Sequence, residues 1–290
     1  MVFAMIILSG VPADSDGGEC AADAHRIWDG SRSEASKPPR WSHLSEATRR
    51  AFTRGGAITV ETSMFVDDSN DGSGTHYSYS REDIDAMVSN AFRNVDRVVA
   101  ALKAHVRPGH RVLVVGTQVP RYEAVCVALG AETTTVEYNR LTFDHPMMRT
   151  VRVVDFSPEK YDVILSASSL DHDGLGRYGD PIAPDGDLLS MDQYRPLANL
   201  TLLTVPVGPD LLAFNLMRIY GATRLPLLLA GYDLVATYGF VPERLVKPVS
   251  NFRRTYEPVF ALRPAADPST PFDLRQLGVH EGPSDEAPRY

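Results

Sequence analysis

The chain has 290 residues, 43% hydrophobic and 23% charged, enough for one large domain or two small ones around a sizeable core. Its 29 Lys and Arg against 37 Asp and Glu give a net charge of -8, which argues against a general electrostatic grip on nucleic acid or an anionic membrane. With only Cys20 and Cys126, a disulfide framework and a four-thiolate zinc site are excluded, and a reducing, cytoplasmic setting is the expectation.

No apolar run approaches the roughly 18 residues of a membrane span. The opening MVFAMIILSG lacks a positively charged leader, so it reads as a buried strand or hydrophobic arm and not as a signal peptide. Residues 11–50 carry Asp, Ser, Gly, Arg and Pro without a sustained period, and 1–79 is expected to be an irregular N-terminal extension. Within it, Asp67–Ser73 is a loop by composition; its acidic spacing lacks the downstream Glu of a calcium loop.

Ser80 followed by Asp83 marks a helix start, with the acid in the first turn where the macrodipole favours it. From Ile84 through Met87, Val88, Ala91, Val95, Val98, Val99 and Leu102 to Val106, apolar residues recur at steps of three and four. This predicts one amphipathic helix of about six or seven turns, ended by Pro108-Gly109.

Strands and helices then alternate. Strands are expected at Arg111–Val115, Thr133–Glu137, Val151–Asp155, Tyr161–Ser166, Leu200–Val205, Tyr232–Thr237 and Pro258–Leu262, and helices at Tyr122–Leu129, Asp187–Tyr194 and Thr223–Leu229. Short apolar strands, each followed by a helix or long loop, call for a parallel sheet covered on both faces. The last two strands are joined without a convincing helix, so the final strand is expected to run antiparallel. Four prolines and little periodicity mark 265–290 as a tail.

Seven strands, a glycine after the first, acids at the ends of the second and third, and a hairpin finish resemble the class I S-adenosylmethionine-dependent methyltransferase fold. That is a Rossmann-like α/β domain with a mostly parallel seven-stranded sheet, here over 80–264. Three strings resemble, more specifically, a Caenorhabditis-type family of unknown function: GTQVPRYEAVCVALGAETTTVEYN (Gly116–Asn139), SASSLDHDGLGRYGDPIAPDGDL (Ser166–Leu188) and VPVGPDLLAFNLMRIYG (Val205–Gly221).

In open α/β sheets, ligands sit beyond the carboxyl ends of the strands near the switch in strand order. The resemblance therefore implies S-adenosylmethionine at Gly116, Thr117, Gln118, Glu137, Tyr138, Asp155 and Ser166. Gly116 permits a tight turn and close approach, Glu137 suits ribose hydroxyls because a carboxylate only accepts, and Asp155 would face the adenine amino group. The usual loop carries two or three glycines at alternate positions. Here only Gly116 is present, and Thr117 and Gln118 would have to replace backbone contacts with side-chain hydrogen bonds.

The loop after the fourth strand is the candidate for chemistry. His172, with an ordinary pKa of about 6.5, can take a proton from an acceptor hydroxyl, and Asp171 or Asp173 can orient the imidazole. Arg177, Tyr178 and Asp180 would hold the substrate, as would Arg218, which with Tyr220 resembles an Arg-aromatic pair of small-molecule- and glycan-modifying methyltransferases. Gly174, Gly176 and Gly179 would let this loop approach a ligand. The alternative is a rigid loop knitted by Arg177–Asp pairs with Tyr178 packed as a lid. Its oxygen donors suit magnesium or manganese, but spacing does not show that they converge, and no metal is expected.

Two functions follow. One is a methyltransferase acting on a hydroxyl of a sugar, nucleotide sugar or glycan, with no nucleic-acid partner. The other is a cofactor-free binding or scaffold module of the same fold, with Val119, Pro120 or Tyr122 filling the adenosine space.

Overall fold

The computed structural model describes residues 37–70, 74–252 and 254–278. In chain order its elements are α1 (Glu46–Phe52), β1 (Thr59–Glu61), β2 (His76–Tyr79), α2 (Arg81–Ser89), α3 (Arg97–His105) and β3 (Arg111–Val115). Then come α4 (Arg121–Ala128), β4 (Glu132–Glu137), β5 (Arg140–Phe143), β6 (Met148–Arg152), β7 (Tyr161–Ala167) and α5 (Gly186–Tyr194). The chain continues through β8 (Ala198–Thr204), β9 (Leu211–Ala213), β10 (Met217–Ile219), α6 (Leu225–Leu228), β11 (Tyr232–Tyr238) and β12 (Val259–Pro264). No helix among the described residues is long and apolar enough to cross a membrane. The opening MVFAMIILSG, Cys20, about half of the N-terminal extension and the end of the tail lie outside them.

The principal sheet has the order β11-β12-β8-β7-β3-β4-β6. Strands β6, β4, β3, β7 and β8 run parallel, and β12 is inserted antiparallel between β8 and β11. Read from the centre outward, this is the Rossmann-like α/β order of the class I methyltransferase fold, with the expected antiparallel last strand. The central strands are apolar on both faces because both are covered. Leu113, Ile164 and Leu203 join Tyr194 and Phe260 in one buried cluster, while Val112, Val163 and Leu202 join Leu102 and Val125 in another. Reversal of strand order occurs between β3 and β7, and ligands of open α/β sheets sit at such a switch.

The single long helix predicted over 84–106 is two helices. Ser80 starts α2 with a reciprocal capping box to Asp83, as its sequence suggests. The helix stops at Asn90, whose amide side chain bonds back to the Ala86 carbonyl, and α3 restarts with Asp96 capping Val99 N. The apolar period persists across the break because the two helices bury different faces. Ile84 packs with Ala124, Phe143 and Met148, whereas Val98, Val99, Ala101 and Leu102 pack on the sheet.

Three further expectations are corrected. Strand β6 is Met148–Arg152, not Val151–Asp155, and Val153–Asp155 forms a 3-10 turn. The described part of the N-terminal segment is not irregular: Ser45 caps α1, β1 pairs with β9, and Phe52 and Ile58 are buried with Leu175, Leu212 and Phe214. The start of the tail packs too, since Phe272 and Leu277 are buried in the main core. Strands β1, β2, β5, β9 and β10 are only three or four residues long, and β1 pairs with β9 and β2 with β5 at long sequence separation, which leaves no local period to read.

Candidate functional site

The loops that follow β3, β4 and β7, with the start of α4, border an open cavity of about 380 Å³ at the carboxyl edge of the sheet. Registry puts them there: Val115 pairs with Val136 and also with Ser166, so Gly116, Glu137 and the chain after Ala167 leave neighbouring strands together. Gly116, Thr117, Gln118, Glu137, His172 and Tyr178, all named from sequence, border this cavity along with Ser168 and Ser169.

Gly116 has φ of 73°, the left-handed region open to glycine at little cost, and its amide bonds to the Val136 carbonyl at 3.0 Å. The Thr117 hydroxyl donates to the Val119 carbonyl at 2.9 Å, so it serves the loop's own turn. Gln118 is exposed at the rim. Glu137 is buried at the tip of β4. Its Oε1 accepts from Asn139 N at 3.1 Å and Asn139 Nδ2 at 2.7 Å, while its Oε2 has no hydrogen-bond partner. Burial pushes this carboxyl up to about 7. An acceptor left open at a cavity wall costs stability unless a ligand satisfies it.

The wall on the β7 side begins with Ser168, whose φ of 49° is positive although it is not a glycine. Its amide is held by Thr204 O and Oγ1, each at 3.1 Å, and its hydroxyl donates to Glu257 Oε1 at 3.3 Å. His172 follows on a 3-10 turn, with Nδ1 2.5 Å from the Leu216 carbonyl oxygen. Burial, with the Arg177 guanidinium nearby, depresses its pKa to about 3. The ring is therefore neutral near neutral pH. A carbonyl only accepts, so Nδ1 carries the proton and Nε2 the lone pair. This corrects two expectations: His172 does not keep its ordinary pKa, and a backbone carbonyl orients it instead of Asp171 or Asp173.

Asp171 is fully buried, with Oδ2 3.5 Å from His172 Nε2 and no hydrogen bond to either carboxyl oxygen. Burial pushes it to about 7. Asp173 faces away, accepting from Ser190 Oγ of α5 at 2.5 Å. Tyr178 packs its ring 6.1 Å from His172 and 6.0 Å from Tyr138.

Other expected contacts are consumed within the protein. Arg177 donates to Asp68 at 2.7 Å and lies over the Tyr178 ring, matching the knitted-loop alternative. Asp180 accepts from the amides of Gly174, Gly176 and Tyr178 at 2.9–3.1 Å, so it shapes the loop. At Gly174 an added Cβ would lie 2.1 Å from the Ala183 carbonyl oxygen; that glycine serves loop packing and not ligand approach. Arg218 is buried, donating to the Asp173 carbonyl at 2.6 Å and the Ala183 and Pro184 carbonyls at 3.3 and 3.2 Å. Asp155 is exposed on its 3-10 turn, Ser166 is buried inside β7, and the Tyr138 hydroxyl bonds to the Ser69 carbonyl; none of the three borders the cavity. Among the described residues no group of three or more His, Cys, Asp or Glu could hold a metal.

Sequence reasoning missed Ser168, Glu257 and the Leu216 carbonyl. The second lies in a connection with no periodicity, and the third is a backbone group 44 residues from the ring it orients.

A family model described as "Caenorhabditis protein of unknown function, DUF268" matches residues 109–255, about half of the chain. No curated protein matches. Among solved structures, the Burkholderia thailandensis 1,6-didemethyltoxoflavin-N1-methyltransferase, with bound 1,6-didemethyltoxoflavin and S-adenosylhomocysteine, is similar at 20% identity over 63% of this chain and 87% of that one, TM-score 0.42. The CcbJ methyltransferase of Streptomyces caelestis is similar at 16% identity over 59% and 89%, TM-score 0.38. A putative methyltransferase from Bacillus halodurans gives 14% over 59% and 99%, TM-score 0.40. Strand order, not these superpositions, carries the fold assignment.

Proposed function

The chain belongs to the family described as "Caenorhabditis protein of unknown function, DUF268", and from that premise we propose that it is an S-adenosylmethionine-dependent methyltransferase acting on a hydroxyl of a sugar, nucleotide sugar or glycan. The observation that carries this reading is the open Oε2 of Glu137 at the tip of β4, beside Gly116 and across the same cavity from His172. An unpartnered carboxylate oxygen suits ribose hydroxyls, which arrive as donors. Gly116 leaves room for the cofactor's amino-acid end, and the exposed Gln118 amide stands where a second glycine would otherwise admit it.

When bound, the cofactor supplies a methyl group on a sulfonium, whose positive charge drives transfer. The chain's own work is alignment and proton removal. With Nδ1–H held by the Leu216 carbonyl, Nε2 of His172 is the lone pair available to a hydroxyl proton. Ser168, Ser169, Tyr178 and the exposed Gln118 bring hydrogen-bonding residue types to the wall, which supports the choice of a polyhydroxylated acceptor. The scaffold reading requires a cleft filled by Val119, Pro120 or Tyr122. Val119 and Tyr122 instead border the cavity, which counts against it.

Calorimetric titration of the full chain with S-adenosylmethionine and S-adenosylhomocysteine tests the proposal. We expect binding, weakened by about tenfold or more in Glu137→Gln because a charge-assisted hydrogen bond is lost, with no fall in melting temperature. Neither heat nor a melting shift with the unaltered protein would overturn it.

A further inference from the structure

The chain between β1 and β2 is stitched to three other parts of the fold, and each stitch falls one residue from a group of the site. Val66 exchanges two hydrogen bonds with the buried Asn215 side chain: its amide donates to Oδ1 at 2.9 Å and its carbonyl accepts from Nδ2 at 2.7 Å. Asn215 precedes Leu216, whose carbonyl orients His172. Asp68 is bonded twice to Arg177, its amide donating to the Arg177 carbonyl at 2.9 Å and its Oδ2 accepting from Arg177 Nε at 2.7 Å. Arg177 precedes Tyr178 of the cavity wall. The Ser69 carbonyl accepts from the hydroxyl of Tyr138, which follows Glu137. This strap lies outside 109–255, the residues matched by the family model.

Two donors converge on the Leu216 carbonyl oxygen. His172 Nδ1 is 2.5 Å from it, whereas Arg177 Nη1 stands 3.5 Å from that oxygen and 3.5 Å from Nδ1. The arginine distances exceed an ordinary hydrogen bond of roughly 2.7–3.2 Å. A guanidinium is the stronger donor of the two, because its hydrogen bonds are charge-assisted. What holds it back is its anchor, the Asp68 carboxylate on Nε. Released, it would take the carbonyl or donate to Nδ1 itself. Either contact favours a proton on Nε2, the nitrogen that must carry a lone pair to act as a base.

We propose that Asp68 is a positioning residue for His172: by anchoring Arg177 it reserves the Leu216 carbonyl for the imidazole, so the strap fixes the tautomer of the ring that takes the acceptor's proton. This rests on the methyltransferase reading and deepens it, placing control of the base in the N-terminal segment. Asp68 does not border the cavity and acts through Arg177 alone. It also balances the Arg177 cation, which would otherwise oppose a positive charge arriving on the imidazole.

The test is proton–nitrogen NMR of the histidine rings in the full chain, nitrogen-labelled, without cofactor and near neutral pH, with His172 assigned by loss of its signals in His172→Gln. We expect a single tautomer protonated at Nδ1 in the unaltered protein. In Asp68→Asn the ratio of Nδ1–H to Nε2–H should fall by about fivefold or more, as loss of one hydrogen bond allows. Adding Arg177→Met removes the competing donor and should restore the first spectrum. A strap that merely supports the fold would not give that rescue. An unaltered ring protonated at Nε2, an Asp68→Asn spectrum that does not change, or a change that persists in the double variant would each overturn the proposal. Should Asp68→Asn fail to fold, the unaltered chain in about 1 M salt decides by the same spectrum, because salt weakens a partly exposed ion pair. Calorimetry with S-adenosylmethionine separates the two readings. Binding with an unmoved tautomer sinks only the strap, whereas a moved and rescued tautomer without binding sinks the methyltransferase reading.

Discussion

Buried charge is handled in opposite ways at the two ends of the loop that follows β7. At its far end Asp187 is saturated: Oδ2 accepts from Tyr220 at 2.9 Å and Arg224 Nε at 2.8 Å, Oδ1 accepts from Arg224 Nη2 at 2.5 Å, and Arg218 Nε is 3.7 Å away. Burial alone would raise this carboxyl, but the charges of Arg218 and Arg224 hold it at about 2. At the near end Asp171, and on the neighbouring tip of β4 Glu137, are equally buried yet leave carboxyl oxygens without partners, and both rise to about 7. The first arrangement makes a rigid strut. The second leaves acceptors open at and behind a cavity wall, where a ligand's donors can satisfy them.

That contrast can be broken by experiment. Asp187→Ala strands two buried guanidinium groups and should cost about 3–5 kcal/mol in chemical denaturation. A loss below 1 kcal/mol would remove the strut from the comparison. Asp180→Ala leaves three loop amides without their acceptor and should cost about 1–3 kcal/mol, measured the same way. The smallest effect is on pH dependence. Glu123, Glu137, Asp171, Asp173 and Glu257 sit near 7 when folded, above their ordinary values near 4. Between those limits the unfolded chain releases protons that the folded chain keeps, so stability falls as pH rises. His172, depressed to about 3, acts in the opposite sense below its ordinary 6.5. Five carboxyls outweigh one imidazole, and the melting temperature should be higher at pH 5.5 than at pH 8 by roughly several degrees. A flat or rising profile toward pH 8 would show that these carboxyls are hydrated or paired.

Much of the fold was legible because its central strands are apolar on both faces and end abruptly on Gly116, Glu137 or a serine run. Chain breaks were harder. The period of 84–106 continues through the turn between α2 and α3, and only the Asn90 and Asp96 caps reveal the stop. At the site, residue types were readable and their obligations were not. Asp180 and Arg218 look like substrate contacts in sequence, yet amides and carbonyls of the same loop use them up.

The sequence by itself determined which residues leave the strand tips, since burial on two faces forces unbroken apolar runs and a polar residue must mark each end. Tertiary structure alone decided which of those polar groups are spent and which stay open. That outcome depends on partners far along the chain: the Leu216 carbonyl selects the His172 tautomer, and an antiparallel strand delivers Glu257 to Ser168. Hydrogen bonds and desolvation act through space, and spacing along the chain records neither.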